Sequence, residues 1–169
     1  MLDLHAFERL FREHHAHCLA FAIHYTGDPY EAEEVVQLVF SQLWEKRETI
    51  MINGSERSYL FTAIRNTAIS QWRKQNVRSE KEQSFGRMQD DTVHMSMQAR
   101  ELEQKLHTAL EKLPERCREV FILSRKEQLK YAEIATVMNI SVKTVENQMG
   151  KALKILHQEL REYLNLFIL

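Results

Sequence analysis

A chain of 169 residues has room for one ordinary domain or two small ones. Glycine (4) and proline (2) are scarce between long amphipathic stretches, and 44% of residues are hydrophobic, so the sequence reads as an all-α protein with ordinary cores. A net charge of −1 argues against an indiscriminate nucleic-acid coat. No run approaches the ~18 consecutive apolar residues of a membrane span. The opening MLDLHAFERL lacks the basic and apolar regions of a secretory signal. Cytoplasmic placement without direct membrane insertion is therefore expected, with Cys18 and Cys117 as reduced core thiols.

Asp3 caps a first helix whose apolar positions include Leu4, Phe7, Leu10, Phe11, Cys18 and Tyr25, and Gly27 ends it. Asp28-Pro29 opens a second helix to about Arg47: Asp28 is the N-cap, Pro29 takes the first turn, and Glu31 completes a capping box. Its core stripe is Val35, Val36, Val39, Phe40, Leu43 and Trp44. Opposite lie Glu31, Glu34, Gln37, Ser41 and Glu45, with Leu38 in their midst. An isolated exposed leucine usually means little, although on an acidic face it can anchor a protein partner. From Asp28 to Glu48, six acids face two cations.

Ser55 caps a third helix to about Gln75, with Leu60, Ile64, Ala68 and Trp72 inward. Tyr59, Phe61 and Trp72 are aromatics available to stack on unpaired bases, with Phe61 and Trp72 expected in the core. From Arg57 to Arg78 there are five cations and no acid. Adjacent acidic and basic helices point to two different partners. Residues 79–95 lose the helical period and collect Ser, Gly, Asp and Gln, which makes them a linker between domains at 1–78 and 96–169.

Helices resume near Ser96, and Pro114 begins another. Residues 131–156 read YAEIATVMNISVKTVENQMGKALKIL, a helix-turn-helix. Ile134, Ala135 and Met138 face inward, Asn139 takes the left-handed turn, Ile140 fills the corner and Ser141 caps the second helix. That helix is expected to bury Val142, Val145, Met149, Leu153, Leu156 and Leu160. Its other side carries Lys143, Thr144, Asn147, Lys151 and Lys154, with Glu146 and Gln148 at the edges and Gly150 exposed among them. The layout suits insertion into a major groove, Asn and Gln bonding base edges and Lys and Thr reaching phosphates. Two packed helices of an ordinary bundle with a solvated polar face would show the same pattern.

LPERCREVFILSRKEQLKYAEIATVMNISVKTVENQMGKALKIL resembles the C-terminal DNA-binding region (sigma-4) of extracytoplasmic-function sigma factors of the sigma-70 family. The LP opening, REVF, the EIA helix and ISVKTVEN match in order and spacing. The resemblance implies that this domain grips the upstream promoter element as duplex, through Ser141, Lys143, Thr144, Glu146, Asn147, Gly150, Lys151 and Lys154. EAEEVVQLVFSQLWEKR resembles the sigma-2 segment that docks on the largest polymerase subunit. This implies contacts from Glu34, Gln37, Leu38 and Ser41, with Leu38 standing where an acid is usual.

SYLFTAIRNTAISQWRK resembles the sigma-2 segment that captures the non-template strand of the downstream element. The implied residues are Tyr59, Arg65, Asn66, Arg73 and Lys74; Ser70 departs from a common acid. In this family the preceding loop, here about Thr49–Ser58, receives a flipped-out base. The architecture implied is a three- or four-helix sigma-2 bundle, a linker and a sigma-4 helix-turn-helix domain. The partners implied are core RNA polymerase, promoter DNA and an anti-sigma factor.

The run HHAHC puts His14 and Cys18 four apart on one helix, but two same-face ligands are not a structural zinc site, so no metal or cofactor is expected. No Ser/His/Asp grouping, phosphate-binding glycine loop or paired-carboxylate arrangement points to catalysis. The main alternative is a helix-turn-helix transcription regulator with an N-terminal sensor domain. Residues 28–78 discriminate, since a sensor needs a ligand pocket or phosphoacceptor there. A helical protein that regulates purely by protein contact is a third reading.

Overall fold

The computed structural model describes residues 2–76, 97–161 and 163. They form the helices α1 (Leu4–Thr26), α2 (Pro29–Glu45), α3 (Glu56–Asn76), α4 (Met97–Glu111), α5 (Glu115–Arg125), α6 (Tyr131–Met138) and α7 (Val142–Glu159), with no strand among them. The chain divides into two compact units, one holding α1–α3 and the other built mainly from α4–α7. The expected linker at 79–95 and the apolar end at 164–169 lie outside the described residues. No helix among the described residues is long and apolar enough to cross a membrane.

Local signals set the ends of the first three helices. Asp3 Oδ1 accepts from the Ala6 N–H at 2.8 Å and starts α1. Gly27, at φ 69, ends it in the left-handed conformation that a side chain would strain. Asp28 Oδ1 then accepts from the N–H groups of Tyr30 and Glu31 at 2.8 and 3.0 Å, and Pro29 occupies the first turn of α2. The expected capping box does not form. The turn at Gly27 brings Thr26 beside Asp28, whose N–H donates to Thr26 Oγ1 at 3.3 Å while Glu31 stays exposed. Ser55 Oγ accepts from the Ser58 N–H at 3.1 Å and starts α3 as expected.

α1 packs on α2 and α3, and α2 on α3, which makes a three-helix bundle. Phe21 and Phe61 stack at its centre with ring centroids 4.2 Å apart and planes 15° from parallel. Such a pair adds ~0.5–1.5 kcal/mol beyond the area it buries. Leu4 and Phe11, among the apolar positions of α1, are 59% and 40% exposed. Phe11 rests against the rings of His15 and Phe40, with centroids 4.6 and 5.0 Å away, and the rest of its ring stays open. Trp44 is half-buried, with its ring against Phe7 and beneath the Arg47 guanidinium.

In the second unit α5 and α4 each pack on α7. Arg118 on α5 donates to the carbonyls of Leu110, Glu111 and Leu113, satisfying the orphan acceptors where α4 ends. Tyr163 donates to Glu101 at 2.7 Å and lies under the Lys105 ammonium, which fastens the chain beyond α7 to α4.

Candidate nucleic-acid and polymerase interfaces

The helix-turn-helix is built from three local devices. Glu133 accepts from the Lys130 N–H at 2.9 Å and stabilises the start of α6. Asn139 adopts φ 53 and lets the Ile140 N–H donate to the Ala135 carbonyl at 3.0 Å, a six-residue closure that ends α6. Ser141 Oγ then accepts from the Thr144 N–H at 3.0 Å to begin α7.

α7 buries Val145, Met149, Ala152 and Leu156. Val142 and Leu153, expected in that stripe, are 42% and 43% exposed, and Leu160 is half-buried. At about 100° per residue the inward line passes through Ala152, leaving Val142, Leu153 and Leu160 on one flank. Opposite the buried line, Lys143, Asn147, Gly150, Lys151 and Lys154 are all exposed. Among the described residues Asn147, Lys151 and Lys154 have no hydrogen-bond or ion-pair partner, so their polar ends are available to a ligand.

The other upstream candidates are partly engaged. Ser141 and Thr144 share a hydroxyl–hydroxyl bond of 2.8 Å at the cap. Lys143 donates to Glu146 at 3.2 Å, which offsets the one acid on this face. A Cβ at Gly150 would meet nothing within 4 Å, so nothing inside the chain requires a glycine there.

On α3, Tyr59, Asn66 and Arg73 recur every seven residues and fall on one stripe, since seven residues are nearly two turns. Asn66, Arg73 and Lys74 are exposed, and Tyr59 is half-buried. Arg65 is also half-buried and lies on the Trp72 side of the stripe, while Lys74 lies on the other side. Phe61 is fully buried, as expected. Trp72 is half-buried, lining a cavity of about 230 Å³ with Thr26, Asp28, Glu31, Ala68, Gln71 and Gln75. Gly54, at φ 91, turns the loop before α3, where Met51 is 81% exposed.

On α2, Glu34, Gln37, Leu38 and Ser41 lie at spacings of three and four and are all exposed, Leu38 at 39%. Among the described residues Glu34, Gln37 and Ser41 have no polar partner within the chain. The same face continues to Tyr30, 85% exposed and one turn before Glu34, a position missed in the sequence although its spacing marked it. On α7, Gln148 is half-buried at the edge of the outward face, as expected, one turn from both Thr144 and Lys151.

Cys18 is fully buried on α1. Among the described residues the grouping able to hold a cation is Glu13, His14 and Glu56. The Arg9 guanidinium already bonds both of those carboxylates, so a positive charge fills that place.

A three-helix bundle with a partner-free acidic face and a cationic helix, followed by a helix-turn-helix, has the working parts of a transcription initiation subunit. Comparison with known proteins gives the same division. Residues 10–78 match the family described as sigma-70 region 2, and residues 103–156 match sigma-70 region 4. The chain is 30% identical over 157 residues to the ECF RNA polymerase sigma factor SigL of Mycobacterium tuberculosis, covering 90% of this chain and 88% of SigL. It is 29% identical over 145 residues to the RNA polymerase sigma factor SigV of Bacillus subtilis, covering 84% and 82%. In fold it resembles the sigma factor RpoE of Bartonella quintana, solved with the anti-sigma factor NepR, at TM-score 0.73, 23% identity and 92% and 96% coverage. CnrH, solved with the cytosolic domain of CnrY, follows at TM-score 0.63, 23% identity and 95% and 90% coverage.

The chain belongs to the extracytoplasmic-function branch of the sigma-70 family. The region 2 match over 10–78 occupies the half where a sensor domain was the alternative, and that reading falls.

Proposed function

We propose that this chain acts as an alternative sigma factor whose first domain, residues 1–78, docks on core RNA polymerase and opens promoter DNA, while residues 96–169 hold the upstream element. Glu34, Gln37, Leu38 and Ser41 on α2 supply the docking stripe. Tyr59, Asn66 and Arg73 on α3 track the separated strand, with Arg65 and Lys74 on its flanks. Lys143, Asn147, Gly150, Lys151 and Lys154 on α7 enter the major groove, with Ser141, Thr144 and Glu146 at the entry turn. The observation that carries this reading is that the outward stripes on α2 and α7 keep polar groups without partners inside the chain. Each DNA surface is small, and polymerase sets the distance at which both act together.

An anti-sigma protein that covers one of these stripes is the expected regulator. RpoE, a protein of like fold, was solved with the anti-sigma factor NepR, which supports this. The test is to add the purified full chain to core polymerase and map transcripts from genomic promoters. RNA starting at defined positions is the expected result. Failure to start any RNA would remove the proposal.

A further inference from the structure

α5 reaches the second helix of the helix-turn-helix through a polar contact between residues 31 apart in the chain. The Cys117 thiol, 1% exposed, donates to Gln148 Oε1 at 2.9 Å. Gln148 is half-buried and lies between Thr144, one turn before it, and Lys151, one turn after it. A free glutamine amide presents an acceptor and two donors, and can bond adenine through both. Oε1 faces the buried thiol and accepts from it, while the amide N–H groups have no partner among the described residues and are the ones left to offer outward.

We propose that Cys117 is a positioning residue that turns the Gln148 oxygen inward and its N–H groups toward the upstream element, selecting a base edge that presents acceptors in the major groove. Guanine offers O6 and N7, and thymine offers O4, so the pair favours these over the amino groups of cytosine. The device requires the thiol to keep its proton. Burial pushes the Cys117 thiol up, although the nearby Lys151 charge opposes this. The inference rests on the reading of α7 as the helix that enters the groove.

Holoenzyme assembled from the full chain and core polymerase, assayed on promoters carrying each single base-pair change in the upstream element, tests it. Cys117→Val removes the donor at similar volume, Cys117→Ser keeps a donor, and Gln148→Met removes the amide. Cys117→Val and Gln148→Met should each relax discrimination at the same base pair by on the order of tenfold. The double variant should do no more than either alone, and Cys117→Ser should restore the native profile. Losses that multiply, or a Cys117→Val loss equal on every promoter, would overturn the proposal.

Lys151→Ala, run alongside, separates the two readings. If it leaves upstream binding unchanged, the groove-entering reading of α7 fails and this inference with it. If it weakens upstream binding while Cys117→Val keeps the native profile, the Cys117–Gln148 proposal alone is lost.

Discussion

The guanidinium of Arg9 on α1 grips both carboxylate oxygens of Glu56 at the head of α3, at 2.7 and 3.2 Å. The Arg9 hydrogen bond, against a smaller opposing effect of burial, holds the Glu56 carboxyl below the usual glutamate range. A lowered folded value means that the native state keeps the carboxylate more firmly than the unfolded chain does. The contribution is therefore complete above the unfolded value, near ~4.3, and is lost as pH falls through the lower folded one. Glu56 is a third exposed, so Glu56→Gln should cost ~1 kcal/mol or less at neutral pH. Its stability should also fall less steeply than that of the native protein between about pH 5 and 3. Thermal unfolding across that range checks this, and parallel curves would show that the grip contributes nothing.

Glu34→Lys combined with Gln37→Ala should weaken binding to core polymerase by on the order of tenfold or more, by reversing charge at the centre of the α2 stripe. Neither side chain has a polar partner among the described residues, so the cost to folding should stay within about 0.5 kcal/mol. The full chain's binding to upstream DNA should remain. Equal loss of both activities would signal misfolding and defeat the prediction.

Lys151→Ala should weaken upstream DNA binding on every sequence and lower the salt dependence by roughly one counterion. Lys151 is exposed and makes no ion pair among the described residues, so its charge is free to meet a phosphate. Titrations at several salt concentrations decide it. An unchanged slope and affinity would take α7 out of the groove.

Gly150→Ala should act in opposite directions on stability and binding. A Cβ there meets no atom of the chain, so alanine should stabilise the helix by ~0.5–1 kcal/mol. On the outward face of α7 the same methyl would hold the backbone away from DNA and lower upstream affinity. A higher melting temperature with undiminished affinity would mean that DNA does not approach the helix closely at this point.

Much of this architecture was legible because helix ends are written locally. Asp3, Gly27, Asp28-Pro29, Ser55, Asn139 and Ser141 each act on backbone groups within a few residues, and each does so in the fold as read. Helical period also located the outward stripes, since a residue three or four positions from a core residue shares its side. Glu34, Gln37 and Ser41 on α2, and Asn147, Lys151 and Lys154 on α7, are exposed for that reason.

Period alone leaves the flanks of a helix undecided, because a residue ~60–80° from the buried line is covered only if a neighbour reaches it. Val142 and Leu153 sit there and remain partly open, while Ala152, which carries little hydrophobic signal, takes the central buried place on α7. The Thr26 hydroxyl takes the Asp28 N–H that the expected capping box would have given to Glu31, because the turn at Gly27 sets the two side by side. Sequence by itself determined the helices, most of their caps and the outward polar faces, all set by contacts within a few residues. Tertiary structure alone brought Arg9 to Glu56 and Cys117 to Gln148, because only the packing of whole helices closes gaps of 47 and 31 residues.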